Sequence, residues 1–461
     1  MTKFFDLLRF NLDYNAWDDS LIRNLLLRIR LFFENIFAKI LDFLKEKSFF
    51  FGLLESLSRH INIIIALSLI FISIVPFNLW SNLYLYLIVF ILWILNLYRK
   101  EDKKRLAFDD FLVLFILTIG LSTVFSIYPR LSLKYAVNYF SVFLFYAIFI
   151  NNIRTRKDLF QILTALTLAT LLVSFYGLLQ KFVIGVSVDL SQTDMSISQE
   201  LSGRIYSTMG NPNVLGEYYL LTVPLIVANF LKNENKYIKI LSAFTILISM
   251  FVLLTTGSRS AWASFAICVF VFTLLYNPRL LPIFFMLGLI LFFFLPGNIQ
   301  IRLMSIFNKS DSSINYRKYI YESANIMKKN FSKLGGVGLG NEVFQAAFEN
   351  YKSPQLTKVA HCHNLYLQLM IEIGAYGLFF LIGHIIKLFS KILISFKEFR
   401  ENDPALSLVQ YGGIAAICGF MVMSFADYTW FYLRIVSLFF IVLAILRASL
   451  NIKNWFTCKV K

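Results

Sequence analysis

Charge is scarce in this sequence. Only 15% of its 461 residues are Asp, Glu, Lys or Arg, whereas a soluble domain carries about 25% to face water. Hydrophobic residues make up 58%, with 50 Phe among them, and the mean hydropathy is +0.67. Too little polar surface remains to cover a globule of this size, which excludes a soluble enzyme and a disordered chain. Cysteine is scarce as well. Cys268, Cys362, Cys418 and Cys458 show no paired spacing, so neither a disulfide scaffold nor a zinc site is expected. No cleavable signal peptide is expected either, because the first long apolar run begins only after Arg59. What the chain does have is apolar length, and it reads as an all-α polytopic membrane protein.

Crossing a hydrocarbon layer of about 30 Å takes about 20 apolar residues. Runs of that kind fall near 60–77, 79–98, 107–127, 131–150, 158–180, 215–231, 238–256, 260–276, 279–296, 364–386, 406–425 and 428–448. The expectation is therefore about twelve transmembrane helices: nine over 59–296 and three over 364–450, with a cytoplasmic tail at 451–461. Of the 44 basic residues, about 29 fall on one side when the spans alternate, among them RKEDKKR (99–105) and NNIRTRKD (151–158). The excess of basic over acidic residues, +17, thus mainly sets orientation, with both termini expected in the cytoplasm. Nothing in it calls for nucleic acid.

Three regions depart from this pattern. Residues 1–58 carry an apolar face from Leu21 to Leu41, interrupted by Arg23, Arg28, Arg30, Glu34, Lys39 and Asp42, and read as a cytoplasmic amphipathic helix on the inner leaflet, with a partner-docking helix as the alternative. Residues 181–214 form a polar connection on the other side. Residues 297–363 form a long extracytoplasmic loop, within which Tyr316, Ile320, Ser323, Ala324 and Met327 recur at helical spacing. The loop is therefore partly helical. Its glycines, Gly335, Gly336, Gly338 and Gly340, permit tight turns, but no strand–turn–helix context supports a dinucleotide fingerprint.

Ionisable groups at span ends are costly and so are candidates for function. Arg259, in the minimal turn TTGSRSAW (255–262) with Ser258 and Ser260 beside it, has a planar fork suited to phosphate. The competing reading is an arginine snorkelling to headgroups. Arg204 precedes GNPNVLGE with Asn213 and Glu217, and Arg317 lies on the loop helix. His361, His363 and Asn364 stand at the mouth of a span that carries Glu372. The H-x-H pair permits a metal reading, but two ligands alone make a poor site, and an imidazole beside an anion site suits a general base. A transporter would place such groups near the midplane in paired, broken spans. Here they gather on one face.

The run HNLYLQLMIEIGAYGL (363–378), with His363, Asn364, Leu367, Glu372, Gly374 and Gly377, resembles the O-antigen ligase and polymerase superfamily. The GSRSAW turn, the GNPN loop after Arg204, and Arg317 ahead of GVGLG are similar to its other marks, over roughly residues 60–450. The resemblance implies a GT-C type glycosyltransferase at the outer face of a bacterial cytoplasmic membrane. It would move a glycan from an undecaprenyl pyrophosphate carrier to an acceptor hydroxyl on a glycolipid, a glycan or a protein, without metal or other cofactor. Arg204, Arg259 and Arg317 would hold the pyrophosphate, with Arg259 and His363 catalytic. Asn213, Glu217, Ser258, Ser260, His361, Asn364 and Glu372 would support them. Ligase, polymerase and protein O-oligosaccharyltransferase remain open within the superfamily, and a lipid-linked glycan flippase is the alternative of another class.

Overall fold

The computed structural model describes residues 49–99, 108–186, 203–304, 312–331, 335–357 and 359–459, together with Asn24 and Arg28. Most of the amphipathic segment expected within 1–58 lies outside these residues, as does 187–202 of the first polar connection. Among the described residues the structure is helical throughout. The first group is α1 (Phe49–Arg59), α2 (Ile61–Ile74), α3 (Asn82–Tyr98), α4 (Asp110–Val124), α5 (Pro129–Asn152) and α6 (Arg156–Leu179). After the polar connection come α7 (Pro212–Lys232), α8 (Lys236–Thr255), α9 (Arg259–Tyr276) and α10 (Leu281–Phe294). The long connection holds α11 (Gly297–Met304), α12 (Ser312–Phe331) and α13 (Asn341–Phe348). Last come α14 (Leu365–Ile394), α15 (Phe396–Asn402), α16 (Pro404–Met423) and α17 (Leu433–Lys459).

Eight of these helices, α5 to α9, α14, α16 and α17, are long and apolar enough to cross a membrane. The α1–α2 pair, bent by 77°, is a further candidate span, and α3, α4 and the Pro278–Phe294 segment are shorter apolar helices. The protein is a multi-pass membrane protein. In α7, α16 and α17, 83% of the apolar window is buried inside the protein, against 28% in α8 and α9, so the first three form the centre. Small residues let them close up, as in membrane bundles generally. Gly412 of α16 lies so near the Pro224 carbonyl of α7 that a Cβ there would clash with it, and Gly216 of α7 meets Ala261 of α9.

The two ends of the bundle carry different chemistry. From His363 to His384 the chain advances about 30 Å along α14, so the two histidines stand at opposite ends. At the His384 end the polar groups are stitched together. Asp109 caps α4 through the Leu112 N–H at 2.9 Å and meets His384 Nδ1 at 2.8 Å. Lys387 pairs with Asp110. Asp158 completes a capping box at the start of α6 and accepts from Asn62 at 2.8 Å.

One break in the regular helices organises the other end. Gly374, with φ 76° and ψ 170°, interrupts α14, a conformation favoured only for glycine. The interruption frees the carbonyls of Ile371 and Glu372, which buried backbone cannot leave unpaired. Val337 N–H takes the first at 2.8 Å, and Gly338 N–H takes the second at 3.2 Å. Ser122 Oγ of α4 also donates to Glu372 O, at 2.6 Å. The Gly335–Gly340 turn is thereby sewn into the bundle. Above it α12 and α13 form a second small core, in which Ile320, Ala324, Met327, Val343 and Phe344 are fully buried with Cys362 and Ile371.

Candidate active site

Arg204 is fixed by the turn that joins α8 to α9. Its Nε donates to Thr256 O at 2.6 Å, and its Nη2 to Asn213 Oδ1 at 3.1 Å. Asn213 in turn donates to Asp427 Oδ2 at 2.8 Å. The loop that carries Arg204 is held by Gln180, at the π-helical end of α6. Gln180 Oε1 accepts the N–H groups of Tyr206 at 3.1 Å and Ser207 at 2.8 Å. Arg302, Arg259 and Arg317 all act electrostatically on Arg204. Burial first, then Arg302 and Arg259, bring the Arg204 guanidinium down to about 9, against the pull of Asp427. Four guanidiniums therefore share one end of the bundle, near one carboxylate.

The histidine side faces them through Asp427. His363 Nδ1 lies 3.2 Å from Asp427 Oδ1, and Asp427 is buried at 7% exposure. Burial alone would raise the Asp427 carboxyl. The hydrogen bond and charge of His363, with His361 and Arg317 nearby, outweigh it and hold the group below its ordinary range. His363 adopts φ 48°, uncommon for a residue with a Cβ. Contacts on both sides hold it there. Its N–H donates to His361 Nδ1 at 3.1 Å, and its carbonyl accepts from Tyr321 of α12 at 2.9 Å. The loop helix with Arg317 is thus tied directly to the histidine. His361 packs on Phe431 and Tyr428, with ring centroids 5.1 and 5.6 Å away. Burial, then the neighbouring His363, pushes it down to about 3, so it stays a neutral acceptor near pH 7.

The remaining sequence candidates take supporting places. Ser258 is the N-cap of α9 and accepts from Ala261 N–H, with Ser260 Oγ 3.3 Å away. Arg259 is accordingly the first residue of α9, where the helix dipole favours anions. Asn364 caps α14 through Leu367 N–H at 2.9 Å. Glu217 is buried within α7, with Asp427 as a charged neighbour. Glu372 reaches the histidine turn at one remove. Its carboxylate accepts from Gln368 Nε2 at 2.7 Å, and Gln368 Oε1 accepts the Cys362 N–H at 2.8 Å. Glu372→Gln keeps an acceptor for Gln368 and is expected to retain most activity. Glu372→Ala frees the turn and should cost about 10²-fold, the scale of a displaced reacting group. Initial rates of both variants check this, and equal inactivity would instead make Glu372 a proton carrier.

His361, His363 and Asp427 bring one ligand atom each to within 4.8 Å of one another, a donor set that a divalent cation accepts. Two features favour a proton relay instead. His361 Nδ1 is already occupied by the His363 N–H, and Arg204 and Arg317 set positive charge beside Asp427.

The sequence candidates left out Asp427, Arg302 and Gln368. Asp427 lies in the turn FADYTW (425–430) between two spans, the same kind of position that singled out Arg259. The segment 244–382 holds Arg259, Arg302, Arg317, His363 and Glu372 but not Arg204 or Asp427. No curated protein matches the chain. Residues 244–382 of this multi-pass membrane protein match the family model described as O-antigen ligase, a similarity that supports ligase- or polymerase-type glycosyl transfer in general.

Proposed function

We propose that the protein transfers a glycan from an undecaprenyl pyrophosphate carrier to an acceptor hydroxyl, at the extracytoplasmic face of a bacterial cytoplasmic membrane. The observation that carries this reading is the His363–Asp427 pair set beside Arg204, Arg259 and Arg317. With Nδ1 protonated toward Asp427, the His363 Nε2 lone pair is available to a hydroxyl. The acceptor oxygen attacks the anomeric carbon from the face opposite the carrier, and its proton passes to Nε2. The carbon–oxygen bond to phosphate breaks with its electron pair, which remains on the departing pyrophosphate, so configuration inverts. The arginines stabilise the charge that grows on that oxygen, the electrostatic contribution that is usually largest. No metal or other cofactor takes part in this scheme.

The carrier's polyprenyl tail would lie among membrane lipids beside the apolar helices. The acceptor is a glycolipid, a growing glycan or a protein hydroxyl, which makes the enzyme a ligase, a polymerase or a protein O-oligosaccharyltransferase. The test is reconstitution of the full chain in liposomes with a polyprenyl-pyrophosphate glycan and each acceptor class, with and without EDTA. Product with inverted anomeric configuration, together with released polyprenyl pyrophosphate, is expected in both conditions. Failure of every acceptor to take glycan would overturn the transfer reading. Loss of turnover in EDTA, restored by a divalent ion, would turn the histidine pair into a metal site.

A further inference from the structure

Arg434, at the start of α17, is an ionisable group inside a candidate span that the transfer scheme leaves without a part. It is buried at 2% exposure. Its Nη1 donates to two backbone carbonyls, Val75 O and Thr208 O, each at 3.1 Å, and lies 3.8 Å from Met209 Sδ. The guanidinium stands over the Trp80 ring, 4.7 Å from its centroid. Nε and Nη2 are buried with no hydrogen-bond partner among the described residues. A side chain with five N–H donors is therefore spent on two carbonyls and a ring. Where stability alone is at stake, a hydrophobic residue of similar volume often does as well as a buried charge or better.

The segments that the charge joins explain its use. Val75 and Trp80 lie in the connection between α2 and α3, and Thr208 lies in the loop that runs from Arg204 to Asn213. Arg434 itself follows closely on the turn that carries Asp427. The same segments interlock around it. Thr208 Oγ1 donates to Ser73 O at 2.8 Å. Phe77 meets Tyr432 edge to face with centroids 5.4 Å apart, and Gly210, at φ 78°, sits so close to Phe77 that a Cβ there would clash with the ring. The loop and the turn meet again in the site itself, on the two oxygens of one carboxylate. Asp427 Oδ2 accepts from Asn213, and Oδ1 faces His363 Nδ1. Any slip of the loop against α17 is thus felt at the histidine.

Resting on the His363–Asp427 reading of the transfer site, we infer that Arg434 is a positioning residue, which fixes the Arg204–Asn213 loop against the start of α17 and so holds Asp427 in place on His363 Nδ1. It touches neither substrate. Arg434→Met tests this, because methionine fills much of the volume without the charge or the donors. The experiment uses the full chain in nanodiscs with a polyprenyl-pyrophosphate glycan and an acceptor that the wild type glycosylates, and reads kcat, both KM values and melting temperature. The expected result is kcat lower by about 10- to 100-fold, the scale of a reacting group displaced by about 1 Å, with both KM values and the melting temperature near those of the wild type. Arg434→Lys should recover part of the loss, because a charge and donors for the carbonyls return without the planar stacking on Trp80. Wild-type kcat in Arg434→Met would overturn the inference. A fall in melting temperature that accounts for the lost activity, with Arg434→Lys no better than Arg434→Met, would leave a purely structural role and overturn it too. Should Arg434→Met not fold, Arg434→Gln decides by the same readouts, since glutamine keeps a donor but is too short to bridge both carbonyls; wild-type kcat there also overturns the inference. Wild-type turnover in both His363→Ala and Asp427→Asn is a different failure, in which the base reading itself falls and takes this inference with it.

Discussion

Removing the imidazole in His363→Ala is expected to lower glycan transfer by about 10²–10⁴-fold, the range for a positioned acid–base group, with protein level and membrane insertion unchanged. Asp427→Asn should fall nearly as far, and for a more specific reason. In the native protein Asp427 can only accept, which sets the proton on His363 Nδ1 and leaves Nε2 free. An asparagine can donate to Nδ1 instead, which puts the proton on Nε2 and removes the base from the acceptor side. Raising the pH would not rescue that variant, because the defect is the tautomer and not the charge. The native carboxylate has the opposite sensitivity. Its depressed pKa means its contribution to stability is complete above the unfolded value of about 4. That contribution is lost only as pH falls below it. Turnover of purified His363→Ala, Asp427→Asn and wild type between pH 6 and 9 checks the first, and melting temperatures of wild type and Asp427→Asn followed from neutral pH to below about 4 check the second. If His361→Ala alone is inactive, the base has been placed on the wrong histidine.

Arg259→Ala is the second large effect, expected at about 10²–10³-fold in kcat, as for loss of a donor aimed at developing negative charge. Its position at the head of α9 combines a guanidinium with helix-terminal amides, so alanine keeps the amides and loses only the fork. Arg259→Lys should recover part of the rate, because charge returns without bidentate geometry. Single-turnover rates at saturating donor isolate the chemical step from carrier binding. Normal rates in Arg259→Ala, with inserted and folded protein, would remove Arg259 from the mechanism.

Much of the scaffold can be read in the sequence because burial in a membrane imposes long, uniform apolar runs. The loop helix is as legible, since Ile320, Ala324 and Met327 repeat at helical spacing and are fully buried. The site was only half legible. Arg259 stands out because a minimal turn leaves a lone charge no other context. Asp427 meets the same criterion but becomes meaningful only when α14 and α16 bring its turn to His363. Arg302 sits in a long polar segment, where a charge ordinarily needs no explanation, and only the hydrogen bond to Gly257 reveals it. Glu372 was visible as a motif residue. Its reach through Gln368 to the Cys362 amide depends on where α14 begins, which spacing alone does not give.

The break at Gly374 also bears on how such an enzyme can diverge. The connection from α10 to α14 is fastened early by Arg302 on Gly257, midway by Tyr321 on the His363 carbonyl, and late by Val337 and Gly338 on the opened turn of α14. Insertions or deletions between Met304 and Ser312, or between Phe331 and Gly335, leave every one of these fastenings in place. Connecting segments generally tolerate change far better than the elements they join. The connection can therefore be recut for new acceptors while the arginines and His363 keep their positions.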